Sequence, residues 1–167
     1  MRLSPRPARL VIRFGSSPWL LCTLASCCIV AFGGCDSNEV SADDLADIKD
    51  EQNCDKIERV SPNRAYSKTL SDRDCDERDR YFALYAFSIS EDSDVEVEGG
   101  SDDFDLLLNV LDDDGDEIAS EFADEGQETE IDFEDLDAGT YAIRIGAFEE
   151  DEFGDFDFEV TARASDD

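Results

Sequence analysis

Apolar and polar residues alternate through the second half of the chain, and this alternation predicts β-strands. Between Asp102 and Ala147, apolar side chains occupy every second position of several short segments, which glycine-containing turns separate. Because successive side chains of a strand point to opposite faces, each such segment has one buried and one solvated face. Short turns with glycine favour hairpins. The stretch is therefore predicted to form antiparallel sheet.

The same pattern, with the turn residues between segments, predicts about eight short strands. Residues 80–90 are apolar on both faces, which places their strand at the centre of a sheet. No long helical period follows Ser61, so the predicted fold class is all-β, an antiparallel β-sandwich of two packed sheets. The predicted strands are 65–70, 80–90, 94–98, 104–111, 117–122, 130–133, 140–147 and 156–164.

The segment 1–34 has the features of a signal peptide. A basic start is followed by an apolar run of 14 residues, 19–32, which is short for a membrane span. The small residues before Cys35 resemble the lipobox of bacterial lipoproteins, in which the thiol of that cysteine is diacylated, the leader is cleaved immediately before the cysteine, and the new N-terminus is often acylated as well. Cys27 follows a second such match, but cleavage there would leave an apolar stub. We predict lipidation of Cys35, with Cys27 as the alternative and an ordinary secretion signal as a third interpretation.

The remaining cysteines predict a disulfide. Of the 6 cysteines, three leave with the predicted leader and Cys35 takes the lipid, so Cys54 and Cys75 remain. In an oxidising compartment two such cysteines most simply pair with each other. A redox or metal pair has less support, because the two are not in a CxxC motif and the chain has no histidine.

Residues 35–60 are polar and acidic and are predicted to be a tether between the lipid and the domain. The segment could form a short helix from Ser41, because a hydroxyl followed by acidic residues suits a helix N-terminus. The β-sandwich is predicted to occupy 61–167.

Charge limits the classes of partner. From Cys35 onward there are 45 acidic residues and 10 basic ones, since four of the 14 lysines and arginines lie in the leader. Such a surface repels phosphate backbones, so we expect no nucleic-acid partner. The expected contacts are the membrane, through the lipid anchor, and an unknown protein or glycan.

Several segments together resemble a known family. They are Tyr81-Phe82, DVEVEGG, the hairpin DFDLLLNVLDDDGDEIAS, Ala138-Gly139-Thr140-Tyr141 and the closing FDFEVTA. From about Ala65 to Ala164 the chain is similar to the bacterial pre-peptidase C-terminal domain, a small β-sandwich often appended to secreted proteases. The resemblance implies a jelly-roll-like fold and, from the family's usual company, a role as protease accessory or inhibitor.

The acidic turn after residue 111 is the one candidate metal site. Clustered carboxylates could supply the oxygen ligands that calcium prefers, here from Asp112, Asp114, Asp116 and Glu117. The spacing is not that of an EF-hand. Asp-Gly is also what a hairpin turn requires, and the turn is the favoured interpretation. No other cofactor is predicted.

The sequence predicts no enzyme. Without histidine, a serine or cysteine nucleophile lacks its commonest base, and no other activated group can be named. We therefore expect a non-catalytic, lipid-anchored interaction module on the outer side of a bacterial cytoplasmic membrane or in the outer membrane, facing the periplasm or the cell surface. The alternatives are a calcium-binding structural or adhesion module and a protease accessory or inhibitor.

Overall fold

The computed structural model describes residues 42–165, which form one helix and ten strands. The helix, α1, spans Ala42–Glu51, and it is too short to cross a bilayer. The strands are β1 (Ile57–Arg59), β2 (Arg64–Thr69), β3 (Cys75–Glu77), β4 (Arg80–Ile89), β5 (Ser93–Ser101), β6 (Leu106–Leu111), β7 (Glu117–Ala123), β8 (Gln127–Leu136), β9 (Gly139–Ala147) and β10 (Asp155–Ala164).

Two sheets pack face to face. Sheet A has the order β1-β4-β9-β6-β7, with β3 also pairing with β4, and sheet B has the order β2-β10-β5-β8. The paired strands are antiparallel except for β1 and β4, which are parallel. The eight longer strands therefore follow the order of a jelly roll, in which most connections cross between the sheets. The predicted antiparallel β-sandwich is confirmed.

The core lies between the sheets and follows the alternation of the sequence. In β5, Val95 and Val97 are buried, whereas Glu96 and Glu98 point outward. In β10, Phe156 and Phe158 alternate in the same way with acidic residues. Because an inward position is apolar in both sheets, the two inner faces meet as one continuous hydrophobic cluster.

All eight predicted strands are present, with ends that differ by up to three residues, and the prediction missed β1 and β3. Each of these two strands has only three residues, IER and CDE, and neither alternates in hydrophobicity. Both form because they lie along β4, which supplies the backbone partners. Nothing in their own side chains signals a strand.

The predicted disulfide is confirmed. Cys54 and Cys75 are bonded, with their Cα atoms 5.6 Å apart and 21 positions apart in sequence. The bond joins the segment after α1 to the start of β3. It therefore fixes both short edge segments to the side of β4.

The structure differs from the predicted tether over residues 42–60. Ile48 on α1 is fully buried, in a second apolar cluster against Phe82, Leu84 and Leu111 on the outer face of sheet A. The predicted short helix forms, but it covers the sheet, because the outward residues beneath it, such as Leu84 on β4 and Leu111 on β6, are also apolar. The folded domain thus begins before residue 61.

The predicted leader 1–34 and the two candidate lipidation sites, Cys35 and Cys27, lie outside the described residues.

Candidate functional site

The outer face of sheet A divides into a covered part and an open part. Helix α1 covers the part that contains Leu84 and Leu111. Beside it lies a cavity of about 380 Å³, whose floor comes from β4, β9 and β6. We call it the Asn109 cavity, and its floor consists of Phe82, Leu107, Asn109, Arg144 and Gly146.

Arg144 is held at the centre of this floor by three contacts. Its guanidinium lies 4.0 Å from the centre of the Phe82 ring. Nη2 donates to Oε2 of Glu77 over 2.9 Å, and Nη1 donates to Oε1 of Gln52 over 3.2 Å. Two of the five guanidinium N–H groups are thus engaged and the fork is fixed in orientation. The hydrogen bond and charge of Arg144 lower the pKa of Glu77.

Asn109 lies beside Arg144, because the two residues are cross-strand partners on β6 and β9. Its Nδ2 donates to Glu117 Oε2 over 2.6 Å and to Ser120 Oγ over 2.9 Å. The Glu117 carboxylate accepts only, which fixes the side-chain amide with its nitrogen toward β7. Oδ1 accepts no hydrogen bond from any residue of 42–165, although Asn109 is only 4% exposed.

The rim of the cavity carries charges of both signs. Arg78 lies in the β3–β4 turn and Arg80 begins β4, and Glu117 and Glu150 lie on other parts of the wall. Arg78 and Asp79 hold φ of 59° and 67°, a left-handed backbone that is unusual for these residue types. The turn is tied down where Asp151 N donates to the Asp79 carbonyl over 3.0 Å. With Glu77 and Arg144 included, arginines and glutamates are equal in number.

An aromatic patch borders the same cavity. It consists of Phe122, Phe148 and Phe153, which are 41%, 44% and 53% exposed. Each touches a residue of the cavity wall or floor: Phe122 pairs with Leu107, Phe148 lies under Arg80, and Phe153 meets the edge of Tyr81. Phe122 and Phe148 also contact each other, with ring centres 5.0 Å apart. The patch and the cavity thus form one surface.

The predicted calcium turn is a tight hairpin that packs against α1. Asp112 Oδ1 accepts from the backbone N–H groups of Asp114 and Asp116, and Gly115 has φ of 87°. A Cβ at Gly115 would come within 2.9 Å of Glu51 Cβ, so the close approach to the helix requires glycine.

Glu117 points away from the other three acids and bonds Asn109 in the cavity. The charges of Asp113 and Asp112 raise the pKa of Asp114. The structure brings Asp112, Asp114 and Asp116 together at the turn but assigns Glu117 to another site. Calcium binding there stays a prediction.

The outer face of sheet B carries acidic residues in adjacent positions of three strands. Carboxylate oxygens of Glu96, Glu98 and Glu130 lie within 4.8 Å of one another, and Glu159 is the partner of Glu98 on β10. Partial burial and then the charges of Glu96 and Glu130 raise the pKa of Glu98. The face is suited to water and cations rather than to apolar partners.

A wider depression of about 840 Å³ lies at one end of sheet B. Its polar groups largely satisfy one another: Asp103 Oδ2 accepts from Asp155 N over 2.8 Å, and Ser101 Oγ donates to the Asp155 carbonyl over 2.7 Å.

Sequence reasoning missed the two central residues of the cavity. Asn109 interrupts the run LLLNVL, and Arg144 interrupts AIRIG, so each is a polar residue on a strand with apolar neighbours. That interruption was the available signal. The two residues lie side by side because β6 pairs with β9, and this strand order cannot be predicted from the local sequence pattern.

The comparisons with known proteins agree with the fold. Residues 81–147 match the family model of the bacterial pre-peptidase C-terminal domain. The predicted resemblance is confirmed for this part of the chain. No curated protein matches the sequence.

Among solved structures, the chain is similar to the pre-peptidase C-terminal domain of a collagenase from Bacillus anthracis. The TM-score is 0.52 at 14% identity, and the match covers 64% of this chain and 95% of that one. A weaker likeness, with a TM-score of 0.39 at 14% identity, is to a periplasmic inhibitor of g-type lysozyme from Aeromonas hydrophila. It covers 65% of this chain and 98% of the inhibitor. The collagenase likeness shows the fold.

Proposed function

We propose that this chain is a non-catalytic, lipid-anchored module that contacts partner molecules of the cell envelope through the outer face of sheet A. The observation that carries the proposal is the aromatic patch beside the Asn109 cavity. The high negative charge of the surface favours solubility. Exposed phenylalanines lower solubility, so their presence on such a surface indicates another role. Clustered exposed aromatics adjoining a cavity are typical of an interaction surface.

Two features support a non-catalytic role. The chain has no histidine. Two carboxylates bond residues of the cavity floor: Arg144 lowers the pKa of Glu77, which makes it a weaker base, and Glu117 accepts a hydrogen bond from Asn109. The match of residues 81–147 to the pre-peptidase C-terminal family supports a binding domain rather than an enzyme.

The proposal is tested by the double variant Phe122→Ser/Phe148→Ser. Envelope extract is passed over immobilised wild-type and variant protein, and the retained molecules are compared by mass spectrometry. Removing two anchoring side chains should reduce retention about tenfold or more, because truncating a central aromatic contact costs more than ~1 kcal/mol.

The matched control is Ile118→Ser, which changes a residue of equal exposure, 41%, on the same strand as Phe122. We expect this variant to retain the same molecules as wild type. Equal retention by all three proteins would contradict the proposal.

The anchor is tested separately by cell fractionation. We expect Cys35→Ser to move the protein from the membrane to the soluble extracytoplasmic fraction, because several acyl chains provide the stable attachment. Cys27→Ser serves as the control and should stay with the membrane. The opposite pattern would move the lipid to Cys27, and membrane association of the double variant would contradict lipidation.

A calcium-binding role is the second candidate, favoured by the three close carboxylates of Glu96, Glu98 and Glu130. Calcium bound there would relieve their mutual repulsion and raise the melting temperature. A melt at millimolar calcium, repeated with Glu98→Gln and with Asp112→Asn, would assign binding to sheet B, to the turn or to neither.

The likeness to a collagenase domain supports a third candidate, a protease accessory or inhibitor, at the level of fold alone. A peptidase among the molecules that the aromatic patch retains would favour it over the first candidate.

A further inference from the structure

We infer that the Asn109 cavity binds a neutral sugar unit, such as the terminal residue of an envelope glycan. The inference rests on the proposed function, because the cavity belongs to the same face, and it names the chemical class of the ligand. The carrying observation is the buried acceptor Asn109 Oδ1, which no described residue satisfies.

The unpartnered acceptor can take a hydrogen bond from a ligand that donates. A buried carbonyl oxygen without a partner costs about 1–3 kcal/mol, which a hydroxyl or N–H of a ligand would recover. The amide cannot relieve this by turning over, because Glu117 would then face a second acceptor. The site is therefore built with one acceptor left for an incoming donor.

Arg144 adds donors beside this acceptor. Three of its five N–H groups remain after the bonds to Glu77 and Gln52, and the ring of Phe82 fixes the plane of the guanidinium. A sugar hydroxyl both donates and accepts, so one hydroxyl or two neighbouring ones can satisfy Asn109 and Arg144 together. An amine would find the acceptor only, and a carboxylate would find the donors only.

The balance of charge favours a neutral ligand. Arg78, Arg80 and Arg144 face the cavity together with Glu77, Glu117 and Glu150. An ion of either sign would meet three like charges, and an anion would also approach a domain that is strongly negative overall. A neutral polyol meets neither penalty and can bond to both kinds of side chain.

Size and apolar surface agree with one or two sugar rings. The cavity of about 380 Å³ lies at the lower end of the volumes that ligand sites occupy, about 300–1,000 Å³. Leu107 gives the floor apolar surface against which the C–H face of a ring can rest, because it is half-buried, whereas the ring of Phe82 lies beneath Arg144. The aromatic patch continues this surface outward for a longer glycan.

The test uses the full chain, labelled with ¹⁵N and purified in a zwitterionic detergent, because a detergent with a sugar headgroup would compete. Methyl β-glucoside, methyl β-galactoside, methyl α-mannoside and N-acetylglucosamine are titrated in turn, with glucuronate as the charged control. At least one neutral sugar should shift the Asn109 side-chain amide signal and the Arg144 signals in a saturable way. Glucuronate should bind more weakly.

Two variants assign the contact. Asn109→Leu removes the acceptor and should weaken binding of the neutral sugar about tenfold or more, the loss expected for one buried hydrogen bond and its desolvation. Glu98→Gln on sheet B is the matched control and should bind as wild type does. If Asn109→Leu does not fold, the wild-type titration tests the contact: a saturable shift of the Asn109 side-chain amide signal supports it, and no shift contradicts it.

No saturable shift with any neutral sugar, tighter binding of glucuronate, or unchanged affinity in a folded Asn109→Leu protein would overturn the inference. Loss of envelope retention in the Phe122→Ser/Phe148→Ser variant alongside any of these results would leave the proposed function standing. Sugar binding without envelope retention would contradict the proposed function alone.

Discussion

The two sheets share one kind of inner face and have opposite outer faces. On sheet A, the outward residues of β4 and β6 are largely apolar, and α1, the cavity and the aromatic patch lie over them. On sheet B, the outward residues of β5, β8 and β10 are mostly acidic and exposed. The inner faces make the fold, whereas the outer faces differ in what they can bind.

This difference determines which outer face is covered by other parts of the fold. An acidic face exposed to water needs no further cover, and no other element of residues 42–165 covers the outer face of sheet B. An apolar outer face must be covered, and α1 with its disulfide covers only part of sheet A. The uncovered part, at Phe122 and Phe148, is where a partner would bury apolar surface.

The largest expected loss of stability comes from removing the Cys54–Cys75 disulfide, which holds the segments that cover part of sheet A. We expect Cys54→Ser/Cys75→Ser to lower the free energy of unfolding by about 3 kcal/mol, because the bond closes a loop whose ends are 21 positions apart. The loss should be local: amide exchange should speed up in α1, β1 and β3 more than in β5 and β8. Equal loss of amide protection across both sheets would contradict the conclusion that the disulfide holds only the cover of sheet A.

Ile48→Ala tests the helix that covers sheet A. The side chain is fully buried, so its truncation should cost about 2 kcal/mol, the low end for a core isoleucine because the helix can settle toward the sheet. Ile118→Ala, at a site 41% exposed, is the matched control and should cost less than about 0.5 kcal/mol. Chemical denaturation measures both, and equal costs would mean that α1 is not part of the core.

The smallest effects come from two exposed glutamates with opposite pKa shifts. Arg144 lowers the pKa of Glu77, so its stabilisation is present above the unfolded pKa and is lost as pH falls through the folded pKa. Partial burial and neighbouring acids raise the pKa of Glu98. Its ionisation therefore lowers stability as pH rises from the unfolded to the folded pKa.

At pH 7 and low salt, Glu77→Gln should lower the melting temperature and Glu98→Gln should raise it. Each change should stay within about 0.5 kcal/mol, because both groups are exposed and screened. Both effects should shrink in 1 M NaCl, where the screening length is about 3 Å. Changes of the same sign in the two variants would contradict the contrast between the faces.

The sequence predicts the inner faces well and the outer face of sheet A poorly. Alternation at residues such as Val95 and Val97 reports burial directly, so the eight long strands and the sandwich are recovered. The disulfide is recovered because only Cys54 and Cys75 remain once the leader is set aside and Cys35 is assigned to the lipid.

The cavity depends on distant partners. Arg144 is fixed by Gln52, 92 positions away, and by Glu77, 67 positions away, and no local pattern encodes such contacts. The turn at Asp112 looks like a metal site locally, yet Asp112 Oδ1 is occupied by the backbone N–H groups of its own hairpin. A single fully buried apolar residue, Ile48, is the main local sign that this polar segment packs on the sheet, and the disulfide of Cys54 and the contact with Gly115 depend on distant residues.

Hydroxyl-radical footprinting in the natural envelope tests the central claim most directly, that the outer face of sheet A makes the contact. Oxidation of Phe122, Phe148 and Phe153 is compared between isolated envelopes and the purified protein, with Tyr66 on sheet B as the internal reference. We predict that the three phenylalanines become severalfold less reactive in envelopes while Tyr66 is unchanged. Equal reactivity of the phenylalanines in both samples, or protection of Tyr66 instead, would contradict the account.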